Sequence, residues 1–141
     1  MNQSPHDPPE PDALLDTDYR LLAEFRYALR AFLHFSEEAA AAKGLTPQQH
    51  QALLAIRGAG SPMTVGELAE RLMLRPHSVT GLVDRLAQAG MILRVADKGD
   101  RRRVALALTS HAEDLLHALS TVHQAEIRRI KSLLTNLLMQ L

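Results

Sequence analysis

"TVGELAERLMLRPHSVTGLVDRLAQAGMILRVADKGDRRRVALALT" (64–109) decides the fold. Thr64 stands where a helix N-cap belongs, and Glu67 follows three residues later to return the hydrogen bond. "MLR" (73–75) leaves no room for more than a tight turn before Pro76, a residue favoured in the first turn of a helix. From Pro76 to Gly90, Val79, Leu82, Val83 and Leu86 recur at helical spacing and mark an inward face. "MILRVA" and "VALALT" then read as two short strands around the turn "DKGDRRR". Two helices on a tight turn followed by a basic-tipped hairpin make a winged helix-turn-helix.

The flanks are helical. Leu21, Phe25, Ala28, Phe32, Phe35 and Ala39 recur at steps of three and four, Leu22, Leu29 and Leu33 widen the stripe, and Gly44 ends it. "TPQQHQALLAIRG" (46–58) opens with Thr46 as N-cap, Pro47 at the first helical position and Gln49 reciprocal to the cap. After the hairpin, Ser110 and Glu113 suggest another capping box. The closing helix carries Leu116, Leu119, Ile127, Ile130, Leu134, Leu137 and Leu141 on one stripe. Residues 1–13 form an acidic, proline-rich stretch with the composition of a disordered tail. The organisation expected is therefore a tail (1–13), an N-terminal helix (14–45), a winged helix-turn-helix (46–109) and a C-terminal helical segment (110–141). The fold class is mainly α with a small β-hairpin.

The 141 residues carry no net charge, which hides an uneven distribution. Residues 1–20 hold five acids against one arginine, whereas residues 64–109 hold eight basic residues against five acids. That basic segment is where a polyanion would be met. The B-DNA major groove, about 12 Å wide, admits one α-helix, docked by the N-terminal residues of its exposed face. Here that face offers His77, Ser78, Thr80 and Gly81, with Arg75 and Arg85 placed as phosphate clamps. Lys98, Arg101, Arg102 and Arg103 on the hairpin tip can lie along the backbone or enter the minor groove.

Other chemistries find little support. Without cysteine there is no disulfide, thiolate metal site or thiol switch. No nucleophile elbow, phosphate loop or His-Glu metalloprotease pair is present, so no enzyme is expected. His111, His117 and His123 fall at steps of six and turn away from one another on a helix, so no metal and no cofactor is expected either. No apolar run approaches the roughly 18 residues of a membrane span and no secretory signal leads the chain, which points to a cytoplasmic protein.

Residues 64–109 also resemble the DNA-binding core of MarR-type regulators, through "ELAERL", "VDRLAQAG" leading into an apolar strand, and "DRRRV…LT" in the wing. With its flanking helices the resemblance extends over residues 14–130 or beyond. It implies a homodimer built from the N- and C-terminal helices, with two winged units reading a pseudo-palindromic operator. It implies a ligand-responsive repressor, with a small aromatic or lipophilic effector near His34, Phe35, Glu38 and His50. It also implies that Asp84 pairs with Arg102 to fix the wing, with Asp100 helping to position it. Gly81 departs from the basic residue that many members carry after "SVT". The competing expectation is a winged-helix module that meets another protein and does not read DNA specifically.

Overall fold

The computed structural model describes residues 13–141. Five helices and one antiparallel hairpin follow in the order α1 (Asp16–Ala42), α2 (Pro47–Gly58), α3 (Val65–Leu72), α4 (Pro76–Gln88), β1 (Ile92–Ala96), β2 (Val104–Leu108) and α5 (Ser110–Met139). This is the mainly helical winged architecture that the residue pattern predicts.

Local chemistry sets the boundaries. The Thr46 hydroxyl accepts from the Gln49 N–H at 3.1 Å, and the Gln49 side chain accepts from the Thr46 N–H at 3.0 Å. Thr64 and Glu67 repeat that reciprocal cap at the start of α3. Gly44 and Gly90 close α1 and α4 in the left-handed region, where a residue without Cβ is unstrained. At the end of α3 the same conformation falls to Met73, at φ 56° and 92% exposed. The Leu74 N–H reaches back to the Ala69 carbonyl at 3.0 Å and closes the helix end. The cap of α5 differs from the expected one. Thr109, not Ser110, is the N-cap, accepting from the Ala112 N–H at 3.2 Å while donating its own O–H to the Gly90 carbonyl at 2.7 Å. Thr109 leaves β2 in extended conformation, as a cap must, whereas Ser110 is already helical. Glu113, released from any capping role, pairs with Arg57 of α2 at 3.1 Å.

One core serves the winged unit. Leu53 of α2, Leu68 of α3, Val79, Val83 and Leu86 of α4, Ile92 of β1 and Leu119 of α5 are almost wholly buried. β2 is pinned at a further point, where the Leu106 N–H donates to the Met63 carbonyl at 2.8 Å. α1 and α5 pack on each other and run beyond this core. Ala28, Leu116 and Leu137 face inward there, while Leu22, Leu29, Leu33, Ile127, Leu138 and Leu141 stay exposed.

Candidate nucleic-acid interface

α4 is amphipathic by construction. Val79, Leu82, Val83 and Leu86 are buried, and the 3.6-residue period leaves Arg75, His77, Ser78, Thr80, Asp84 and Arg85 exposed. Pro76 supplies no backbone N–H, and the Thr80 hydroxyl donates to its carbonyl at 3.0 Å. Gly81 has an unexpected neighbour: a Cβ placed on it would lie 3.5 Å from the Arg85 guanidinium. Arg85 thus bends back over the glycine and carries positive charge to the ground its missing side chain leaves open.

The hairpin pairs Leu93 with Ala107, Arg94 with Leu106 and Val95 with Ala105. Its tip is shaped by two aspartates. Asp97 accepts from the Gly99 N–H and Asp100 from the Arg102 N–H, each at 2.9 Å, and the Arg103 N–H donates to the Asp100 carbonyl at 3.0 Å. Asp100 therefore positions the wing through its own turn.

The three arginines divide. Arg101 and Arg102 are exposed, with no carboxylate at ion-pair distance among the described residues, and Lys98 is equally free. Arg103 is half-buried and committed elsewhere: it donates to Glu67 of α3, and its Nε lies 3.3 Å from Asp97. The hydrogen bond to Glu67, reinforced by that carboxylate's charge, raises the Arg103 pKa above its ordinary value. Arg103, expected as a DNA contact, is within this chain a tether for the wing. Glu67 accepts from the Thr64 N–H as well, so one carboxylate caps α3 and holds the hairpin.

The expected Asp84–Arg102 pair is also replaced. Asp84 accepts from Arg94 of β1. Side chains alternate along a strand, and Arg94 shares the face of buried Ile92 and of its partner Leu106, so it points toward α4. Arg102 lies beyond the strand end in the turn. The wing is thus fastened twice, to α4 through Arg94 and to α3 through Arg103.

Of the four residues expected around an effector, the chain gathers two. His34 and Glu38 pair with each other at 3.1 Å on the outer face of α1, 74% and 71% exposed. Phe35 and His50 instead meet a residue not singled out from the sequence, His123 of α5. The His50 and His123 rings lie 4.8 Å apart, and Phe32 and Phe35 present edges to His123 at 6.0 and 5.5 Å. A signal for His123 was present. The aliphatic stripe read from the sequence skips from Leu119 to Ile127, and a helix facing inward at 116 and 119 must face inward again at 123.

Among the described residues no helix is long and apolar enough to cross a membrane. Residues 43–103 match the profile of the MarR family. Over 90 residues the chain is 43% identical to the uncharacterized HTH-type transcriptional regulator YcgE of Bacillus subtilis, covering 61% of this chain and 58% of that protein. Over 120 residues it is 30% identical to the HTH-type transcriptional repressor MdtR of the same species, covering 82% of this chain and 77% of that one. Among solved structures, it is similar to a MarR family protein from Bacillus stearothermophilus at TM-score 0.73 and 26% identity, covering 84% and 82% of the two chains.

Proposed function

The chain belongs to the MarR family of transcriptional regulators, and from that premise we propose that it is a homodimeric, sequence-specific DNA-binding protein acting as a repressor. One observation carries the reading. Arg75 at the N-cap of α4, Arg85 of α4, and Lys98, Arg101 and Arg102 of the wing tip are exposed and without acidic partners among the described residues, while Arg94 and Arg103 spend their charge fastening the wing. Within α4 and the hairpin, the free cations stand where a duplex would touch, and the paired ones where the wing is held still. α4 enters the major groove through His77, Ser78 and Thr80, and the tip lies on the backbone or in the minor groove.

The dimer is formed by α1 (within 14–45) and α5 (within 110–141), leaving residues 46–109 as the reading unit. The exposed leucines of α1 adjoin Leu138 of α5 and the following Leu141, an apolar face of the kind that marks an interface between copies. A two-fold axis through that face sets the two recognition helices about 34 Å apart, one turn of DNA. A bound dimer blocks polymerase where its operator overlaps a promoter, which is the basis for reading repression. An aromatic or lipophilic effector remains part of the proposal through the resemblance. It would act by displacing Phe35 and His50 or by binding between protomers, since those rings already fill the space among α1, α2 and α5.

Fluorescence anisotropy against the intergenic fragment beside the protein's own gene tests the reading, with a scrambled duplex alongside. Preference for the native fragment, with affinity falling by a log–log slope of about −0.9 per neutralised phosphate, is expected. Weak, equal binding to both duplexes would hand the assignment to a protein-interaction module.

A further inference from the structure

His50 and His123 are the buried ionisable residues among the described part of the chain, 4% and 9% exposed, and they touch each other. Their position matters. His123 belongs to α5 and is enclosed by Phe32, Phe35 and Ser36 of α1, whereas His50 belongs to α2, the first helix of the winged unit. The two rings form the buried polar contact among those at which the paired terminal helices meet the DNA-reading part.

The hydrogen bonds of His123 fix its neutral form. Its Nδ1 lies 2.6 Å from the Leu119 carbonyl, which can only accept, so Nδ1 carries the proton. Nε2, 2.7 Å from the Ser36 Oγ, then accepts from that hydroxyl. A proton arriving at Nε2 reverses the second bond, because the hydroxyl can accept as readily as it donates. The pair therefore has a built place for one added charge. It has no place for two, and no counter-ion: among the described residues no carboxylate lies at ion-pair distance from either ring. His34 and Glu38 of α1 pair on the outer face, Glu126, three residues beyond His123 on α5, is taken by Arg129 at 2.7 and 3.0 Å, and Glu113 is held by Arg57.

We propose that His50 and His123 form a proton-operated joint between the α1–α5 pair and the winged unit. Acidification places positive charge in this desolvated contact, which no carboxylate faces; opening α2 from α1 and α5 lets water reach that charge, and DNA binding weakens as the angle of the recognition helix is reset. The proposal rests on the DNA-binding reading for its output, but not for its trigger. Burial, and secondarily the neighbouring His123, hold the His50 pKa below its ordinary value of 6.5. The unfolded chain therefore binds more protons than the folded one. The stability of the joint is complete well above 6.5, and is lost as pH falls below that value toward the depressed folded pKa.

Two readouts test the joint. Ring ¹³C–¹H signals of the seven histidines are followed from about pH 8 to about pH 5 alongside backbone amides, with helix content monitored by circular dichroism. DNA affinity is measured across the same range at constant ionic strength in a His77→Gln background, because a histidine on the DNA-facing helix would itself bind better when protonated. The joint predicts that the His50 signal titrates with a midpoint below 6.5, that the Ser36 and Leu119 amides across the His123 contact move with it, and that helix content holds. It predicts an affinity loss of about tenfold on acidification that disappears in His77→Gln/His50→Gln. Amides that stay static while His50 titrates, loss of helix at the same midpoint, or unchanged affinity despite the moving amides would each overturn it. Absence of DNA binding by the unsubstituted chain at about pH 7.5 would sink the functional reading instead, and leave the joint to be judged on the ring and amide signals.

Discussion

The winged unit and the α1–α5 pair are both helical and both rich in leucine, yet they finish their cores differently. In the winged unit, side chains from α2, α3, α4, both strands and α5 close around Leu53, Leu68 and Leu86 and leave those three no exposed surface. In the helix pair, Leu22 and Leu33 of α1 remain 50% and 52% exposed beside an inner stripe that is only half-buried. Leucine spacing alone reports that a helix has an apolar face. What the face meets depends on how many elements the same chain can bring to it. The winged unit's core draws on all seven elements, whereas the outer parts of α1 and α5 have only each other.

That contrast can be broken by mutation, and the largest effect belongs to the closed core. Leu53→Ala should cost about 2–5 kcal/mol of unfolding free energy in a urea melt, because no neighbour can collapse into the space. Leu33→Ala on the open face should cost less than about 0.5 kcal/mol when measured at concentrations below the dimer dissociation constant. Equal costs would erase the distinction.

Charging the open face comes next. Leu22→Glu/Leu33→Glu should leave the far-ultraviolet spectrum intact and raise the dimer dissociation constant by at least about tenfold in sedimentation equilibrium, since two like charges per protomer would be buried against their copies. A variant that unfolds rather than dissociates would place those leucines in a monomer core.

Within the wing, the arginines sharpen the same lesson at smaller scale. Arg101→Ala/Arg102→Ala should flatten the salt dependence of DNA binding by about 0.9 for each phosphate no longer neutralised, with the wing amides as protected as before. Arg103→Ala should do the reverse, leaving the salt slope nearly unchanged while hydrogen exchange rises at residues 97–103, as the Glu67 and Asp97 anchors go slack. The last effect is local to α4. Gly81→Ala should stabilise the chain by about 1 kcal/mol in thermal denaturation, the added methyl meeting Arg85 at ordinary van der Waals distance.

The order of elements was legible because its punctuation is written in the chain. Thr46 with Gln49, Thr64 with Glu67, Pro76, Gly44 and Gly90 each have one local physical reading, and the backbone follows it. What the sequence concealed was the choice among equivalent side chains. Thr109 and Ser110 are both good caps, and only the exit angle of β2 selects the first. Arg94, Arg102 and Arg103 are chemically alike, and strand register sends the first to Asp84 while the turn sends the last to Glu67. His123 was hidden by comparison with the wrong residues. Set beside His111 and His117 it turns away from them, whereas set beside Leu119 and Leu116 it faces the core.

The most direct test of the division between a DNA-facing winged unit and a copy-facing helix pair is hydroxyl-radical footprinting on the region upstream of the gene. Two protected patches related by a two-fold axis and centred about 34 Å apart, vanishing together in Leu22→Glu/Leu33→Glu, are the predicted result. A single patch, or two patches that survive when the dimer is split, would contradict it.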